Sequence, residues 1–533
     1  MLSRLAMSDV AQTEYDAVVY PSGLYPQTHP NRLATNATLL GLDPAPVERC
    51  RVLEIGCGDG TNLLTMAFSL PESRFLGIDL AADPIRRGNQ LIEKLGLNNV
   101  ILRQMDVLAA PDDLGVFDYI IAHGVYSWVP AEVREKIMAI CARHLSEQGV
   151  AYISYNAYPG NHLRDLVRRM MHFHADRFET PADKVRQARA LVKFAAEAKA
   201  KPGLWQNILT QQLERIDRYT EEAFYHDDLN SINQPFYFID FMEHAARHGL
   251  QYLSEANLPE MLDDGFEESA TAALRQLADG AHLAREQYLD FLKGRSFRQT
   301  LLCRDGLKFT RSLLSERAVN LLVSGETRPA NADLEVCSSE PADFNGSKGA
   351  VIATSSPVAK AALAHLGTIF PLAIRFTDLL DLARQRTGRN SDPDDTQAER
   401  DQMELAEFLV RAHAIGFVEL HSFQPAFVTQ ISERPAAHRL ARLQIQNGPK
   451  ISTLHHRTMR LDDSLSRHLL GLLDGTRDMA ALVAALADAV NSGAATIPGI
   501  ETGKIKPEDV PKVLREQLGP NLKSLANSAV LVA

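Results

Sequence analysis

The chain has 533 residues, 45% hydrophobic and 23% charged, a length that exceeds one ordinary core and calls for about two to four domains. A formal net charge of −11 and a pI near 5.9 argue against the broad basic face that a nucleic-acid binder needs. No apolar run approaches the roughly 18 residues required to span a bilayer, and the stretch Met1 to Met7 lacks the apolar segment of a signal peptide, so no membrane span and a cytoplasmic location are expected.

In chain order, Tyr25 to Leu33 places prolines on both sides of His29, and Leu33, Ala37, Leu39 and Leu40 read as a helix ending at Gly41. His29 is either part of the site or a surface residue. Val52, Leu53 and Ile55 suit a buried parallel strand that runs directly into Gly56, Gly58 and Gly60, with a helix from Thr61 behind them. A glycine turn at a helix N-terminus presents free backbone N–H groups to a ligand. The pattern Glu54-x-Gly-x-Gly-Asp-Gly departs from the dinucleotide fingerprint and fits S-adenosyl-L-methionine better, with Glu54, Gly56, Gly58 and Gly60 as the cofactor turn. A tight bend without a ligand is the alternative.

Arg74 to Asp79 reads as a second strand ending in an acid that can accept from both ribose hydroxyls. No tyrosine has lysine four positions later, which removes the chemistry of a short-chain dehydrogenase. Helix, a third strand ending near Asp106, a fourth over Phe117 to Ala122, a helix over Glu132 to Leu145 and a fifth strand over Gly149 to Tyr155 follow. The alternation predicts a doubly wound α/β sheet with strand ends gathered on one rim. On that rim the fourth strand opens into His123 to Pro130, whose His123 and Gly124 join the cofactor candidates, and the fifth opens into Tyr155 to Asn161. Tyr126, Trp128, Tyr155 and Tyr158 can line an amine channel beside a sulfonium, because π-faces stabilise cations. Alternatively their rings seal the edge of the sheet.

Leu163 to Arg218 reads as helical, and Arg164, Arg168, Arg169, Arg177, Lys184, Arg186 and Arg189 as a solvated face. His226, Asp227 and Asp228 are read as a capping loop, since adjacent acids do not converge easily on one ion. Five cysteines without a C-x-x-C pair suggest neither disulfides nor zinc, and no metal is expected. Gly249 to Ala256 and Arg295 to Arg304 are expected to return to the sheet as sixth and seventh strands.

Together the Glu54-to-Gly60 turn, the His123-to-Pro130 loop, the Tyr155-to-Asn161 loop and the segment from Pro235 to Ala256 resemble bacterial class I methyltransferases with a methyltransferase regulatory domain. Among these are the rickettsial protein-lysine methyltransferases that act on outer-membrane protein B. The resemblance covers most of the chain. It implies cofactor contact at Gly56, Gly58, Asp79 and Asp106, with the His123-to-Trp128 loop beside the reactive methyl, and a seven-stranded Rossmann-like sheet.

The expected layout is a cofactor-binding core over 1–162, a helical insertion over 163–230, a regulatory segment over 231–305, a winged-helix-like module over 306–420 and a helical module over 421–533. Ser391 to Asp395 is read as a loop, and His413, His455 and His456 as exposed or helix-face residues. The two last modules are protein-binding surfaces or structural support. A protein-lysine methyltransferase is the leading reading, with a protein substrate and no nucleic acid as partner; a homodimer stays open. A small-molecule or surface-glycan methyltransferase and a non-catalytic cofactor-binding scaffold are the alternatives.

Overall fold

In the computed structural model, which describes residues 18–198, 201, 203–389, 396–499 and 506–533, the sheet grows outward from the strand that precedes the glycine turn. That strand, β1 (Arg51–Ile55), is flanked by β2 (Arg74–Asp79) and β4 (Phe117–Ala122), with β3 (Val100–Gln104) outside β2 and β5 (Leu145–Asn156) outside β4. These five run parallel, so their C-terminal ends share one rim. β6 (Leu250–Glu255) and β7 (Phe297–Arg304) complete the order β3-β2-β1-β4-β5-β7-β6, with β7 antiparallel between β5 and β6. This is the class I methyltransferase fold.

Successive residues of β1 serve opposite faces, as strand geometry requires. Val52 joins Leu33, Leu63, Leu64 and Met66 beneath the helices Pro30–Leu39 and Thr61–Ser69. Leu53 and Ile55 join Ile120, Ile137, Cys141 and Phe241 beneath Ala131–His144 and Phe238–Arg247. The seventh strand also carries Arg298, fully buried, with Nη1 2.5 Å from Glu255, Nη2 2.8 Å from Asp290 and its guanidinium 3.9 Å from the Phe238 ring centre. An ion cluster therefore ties β6, β7 and the helix His282–Lys293 of the regulatory segment to one another.

The insertion folds as the helices Asn161–Ala175, Pro181–Glu197, Leu204–Ile216 and Glu221–Asp228 around Val167, Val185, Leu209 and Phe224. The solvated-face expectation fails for three arginines, among them Arg189, whose Nη2 donates to the Tyr219 carbonyl at 2.8 Å. Arg164 lies 2.9 Å from Asp228, which also meets Arg215 at 2.8 Å, and Arg168 bonds to the Asn230 carbonyl. His226 to Asp228 end a helix instead of forming a loop, and the buried Asp228 carboxylate needs these partners.

In the middle module, β8 (Leu322–Ser324) pairs with β12 (Ile374–Arg375) and β13 (Glu419–His421), while β9 (Arg328–Pro329), β10 (Ala342–Asn345) and β11 (Val351–Thr354) form a second small sheet. The helices Pro357–Ile369, Phe376–Arg386 and Thr396–Ala414 bury Leu363, Phe376 and Leu409 against them. The loop expected over Ser391 to Asp395 and the stretch Met1 to Met7 lie outside the described residues. The last module was expected to be helical, yet beside the helices Ser464–Leu472, Met479–Asn491 and Val510–Asn527 it carries a hairpin of β14 (Lys450–Ser452) and β15 (Thr458–Arg460). Among the described residues no helix is long and apolar enough to cross a membrane.

Candidate active site

The turn after β1 holds Gly56, Gly58 and Gly60 at φ of 71°, 57° and 72°, a left-handed conformation that glycine adopts without steric cost. A Cβ on Gly58 would meet no protein atom within 4 Å, so this part of the turn faces open space. Its outer side is tightly supported: a Cβ on Gly88 would stand 2.3 Å from the Asp59 carbonyl, so the helix Ala82–Leu95 touches the turn backbone. Asp79, at the end of β2, accepts from the Gly58 amide at 2.7 Å through Oδ2 and from the Ala81 amide at 2.9 Å through Oδ1. These bonds fix the carboxylate beside the turn. Asp106 follows β3 and caps the next turn, accepting from the Leu108 amide at 2.9 Å.

Beneath the turn, Glu54 is buried. Its Oε1 accepts from Asn62 Nδ2 at 2.8 Å, whereas Oε2 has no hydrogen-bond partner. Burial, joined by the neighbouring Asp59 and Asp79, pushes this carboxyl up to about 8. A buried oxygen without a partner is costly in isolation, and a ligand bearing a positive group or an N–H donor would satisfy it.

His123 and Gly124 open the loop after β4. The His123 Nδ1 lies 3.0 Å from the Tyr152 hydroxyl and 3.2 Å from Ser154 Oγ, while the Gly124 amide donates to that same Oγ at 2.8 Å. Burial lowers His123 to about 4, so the imidazole is neutral at pH 7 and does not repel a cation. Tyr25 covers it at a ring separation of 4.0 Å. The segment around Tyr25 is a strap: Ser22 bonds to Asp59, the Tyr25 amide donates to Asn62 Oδ1 at 3.1 Å, and Tyr20 donates to Asp227 at 3.3 Å. Cofactor turn and helical insertion are thereby bridged by one piece of chain.

The four aromatic candidates separate into two pairs. Tyr126 and Tyr155 do not line a channel. Both are buried, Tyr155 stacks on Phe241 at 4.1 Å and Tyr126 packs against Phe236 and Phe241 at 5.2 Å, so their rings seal the sheet. The Tyr126 hydroxyl meets His244 Nδ1 at 2.5 Å. Tyr158 and Trp128 are only partly buried. Tyr158 donates to Asp165 Oδ2 at 2.8 Å, stacks on His162 at 4.0 Å and faces Tyr237 at 5.3 Å, and the Trp128 indole N–H has no partner. A half-open aromatic wall with an acid behind it can accept an alkylammonium group.

One residue of the site, Asn62, carries no motif, and three histidines read from the sequence take buried positions. Asn62 makes four of the bonds around the turn, and its only mark is an asparagine in the first turn of the helix Thr61–Ser69. His29 is buried: its Nδ1 accepts from the Asn31 amide and its ring lies 5.1 Å from His456. His413, on the helix Thr396–Ala414, and His456 are both buried, and burial lowers His413 to about 3.

Comparison with known proteins places three family models on the chain. A methyltransferase domain matches residues 52–149, a predicted methyltransferase regulatory domain matches 220–304, and the C-terminal winged helix domain of PKMT matches 433–530. The winged-helix match falls on the module that carries the β14–β15 hairpin. The uncharacterized protein RP789 of Rickettsia prowazekii is 30% identical over 531 residues, covering 97% of this chain and 93% of that protein. RP028 of the same organism is 38% identical over 242 residues, covering 45% of this chain and 96% of its own. The solved structure of PKMT2 from Rickettsia typhi in complex with AdoHcy superposes with a TM-score of 0.85 at 27% identity, covering 96% of this chain and 100% of that one.

Proposed function

The chain belongs to the class I S-adenosylmethionine-dependent methyltransferases that carry a methyltransferase regulatory domain and a PKMT-type winged helix, and from that premise we propose that it methylates lysine side chains of a protein substrate. The observation that carries this reading is the extent of the likeness to PKMT2, which runs through the middle and C-terminal modules as well as the sheet. A small acceptor does not require those modules.

In this reading Glu54, Gly56, Gly58 and Gly60 form the cofactor turn, Asp79 takes the ribose hydroxyls, Asp106 stands at the adenine end, and His123 and Gly124 border the methyl. The orphaned Glu54 oxygen, the open face of Gly58 and the neutral His123 suit a cationic nucleoside of this kind. When bound, the cofactor supplies an electrophilic methyl on a sulfonium. The protein contributes orientation, holding the acceptor roughly 3 Å from that carbon and in line with the leaving sulfur. A lysine amine has an unperturbed pKa near 10.4, so its neutral form must be favoured by desolvation or by a base. Tyr158, His162 and Tyr237 supply apolar faces for that purpose, and Asp165 offers an oxygen to the departing proton.

A cytoplasmic location is part of the same proposal. It is supported by the unpaired state of Cys50, Cys57, Cys141, Cys303 and Cys337. Isotopically labelled S-adenosylmethionine incubated with the enzyme and lysate tests the assignment. Label mapped to lysines by mass spectrometry is expected, whereas label confined to glycans or small molecules would overturn it. Binding of cofactor without any transfer would favour a scaffold.

A further inference from the structure

On the side of the sheet that carries Tyr126, one carboxylate and two imidazoles converge where the helix Ala131–His144 packs near Phe238–Arg247. Glu135 Oε2 lies 2.8 Å from His244 Nε2, and its Oε1 lies 2.8 Å from His248 Nε2. The three ligand atoms all stand within 4.8 Å of one another. His244 and His248 are four residues apart, so a helical path stacks them on one face, and their ring centres are 5.4 Å apart.

The other nitrogen of His244 is already engaged. Its Nδ1 meets the Tyr126 hydroxyl at 2.5 Å inside the apolar core, which orients the ring and leaves Nε2 as the outward atom. Ring orientation through the second nitrogen is characteristic of metal-ligating histidines. Glu135 is the exposed member, with 58% of its side chain accessible, so a hydrated ion can reach the cluster and the carboxylate can move to meet it.

We propose that Glu135, His244 and His248 form a binding site for a divalent transition metal of the zinc class, with Tyr126 as the positioning residue behind it. Two imidazoles and one carboxylate provide the N₂O donor set of a three-ligand zinc site with a fourth position open to water. Bond lengths of roughly 2.0–2.2 Å require the carboxylate to swing out from between the rings. Arg134 does not stand against the ion directly, since it bonds to the Val129 carbonyl and lies over the Phe236 ring at 5.3 Å. Arg247 opposes it, because its charge already disfavours a second positive charge at His244. The ion would clamp the regulatory segment to the core helix behind the His123-to-Trp128 loop, a structural task independent of the transfer chemistry.

The test uses the full chain, stripped with chelator and titrated with zinc and, separately, with cobalt(II), whose visible absorption reports four-coordinate binding. Wild type is expected to take up one equivalent, to retain it through gel filtration and to gain several degrees in Tm. His248→Ala and Glu135→Gln, both near the surface, should weaken uptake more than about tenfold, and Tyr126→Phe by about 10- to 100-fold. Circular dichroism of each metal-free variant establishes that it folds. Absence of stoichiometric uptake by wild type, or equal uptake by the folded variants, would overturn the proposal and leave the cluster as a hydrogen-bonded ion pair.

Discussion

His456, in the C-terminal module, donates from Nε2 to the Oδ1 of Asn62 at 2.7 Å, joining two residues 394 positions apart. The direction is fixed by chemistry, since an amide oxygen only accepts. Asn62 in turn donates to Glu54 at 2.8 Å and to Thr28 Oγ1 at 3.1 Å, and it accepts from the Tyr25 amide. One side chain therefore connects the carboxyl under the cofactor turn, the strap above it and a module of separate fold. Thr65 and Ser452 add a second contact at 3.1 Å.

If that connection transmits to the site, His456→Ala should weaken S-adenosylmethionine binding several-fold although it lies outside the methyltransferase core. Asn62→Ala should weaken it further and lower Tm, because it leaves up to three buried polar groups unsatisfied at about 1–3 kcal/mol each. Calorimetry and thermal unfolding separate these effects. A wild-type Kd in a folded His456→Ala variant would reduce the module to structural support.

At the turn itself, Gly58→Val should abolish cofactor binding without unfolding the chain. The added Cβ meets no protein atom within 4 Å and enters the open space the turn faces, at a φ that costs about 1–2 kcal/mol. Asp79→Ala should weaken binding by about ten- to hundredfold, the equivalent of about 1.5–3 kcal/mol for hydrogen bonds to a charged group. Gly88→Ala provides the contrast, since its Cβ would strike the Asp59 backbone and should lower Tm instead. Unchanged affinity in both Gly58→Val and Asp79→Ala would remove the cofactor from this turn.

The sheet was legible because parallel strands buried on both faces leave mostly apolar runs, broken only by Glu54 in Val52 to Ile55 and by Asp118 in Phe117 to Ala122, and because glycines mark where the chain reverses. Even the return of β6 showed in the helix-glycine-strand order around Gly249, and that of β7 in the stretch from Arg295 to Arg304. What was not legible depends on pairing across the chain. Arg164 and Arg168 look like surface charges until Asp228 and the Asn230 carbonyl, about 60 residues away, are brought to them. Tyr126 looks like a loop aromatic until Phe236 and Phe241 enclose it. The burial of His456 requires docking of the last module, which no local pattern announces.

The raised carboxyl of Glu54 gives a pH dependence with a definite sign. Its folded value of about 8 lies above the ordinary 4.5, so between those limits the folded chain holds a proton that the unfolded chain releases. Stability should fall as pH rises through that window and level off above about 8. A cationic cofactor favours the carboxylate, so binding should release a proton near pH 7 and tighten as pH rises to about 8. Calorimetry in two buffers of different ionisation enthalpy measures the proton, and Glu54→Gln should abolish both the release and the slope. A slope retained in that variant would assign the linkage to another group.

The partition of the aromatic residues yields the sharpest test of where the acceptor amine passes. Tyr126 is enclosed and bonded to His244, so Tyr126→Phe should act on stability, at about 0.5–1.5 kcal/mol, and leave the affinity for an acceptor peptide unchanged. Tyr158 is half-open, with its hydroxyl on Asp165 and its ring against those of His162 and Tyr237. Tyr158→Phe and Asp165→Asn should each lower kcat/KM for a protein acceptor by about tenfold, one hydrogen bond at about 1.4 kcal/mol, while cofactor Kd and Tm stay near wild type. The loss should shrink at high pH, where free lysine deprotonates without assistance, and this distinguishes a role in presenting the amine from one in packing the loop. Wild-type kcat/KM in both variants at neutral pH would place the amine channel elsewhere on the rim, with the unpartnered indole N–H of Trp128 as the next position to substitute.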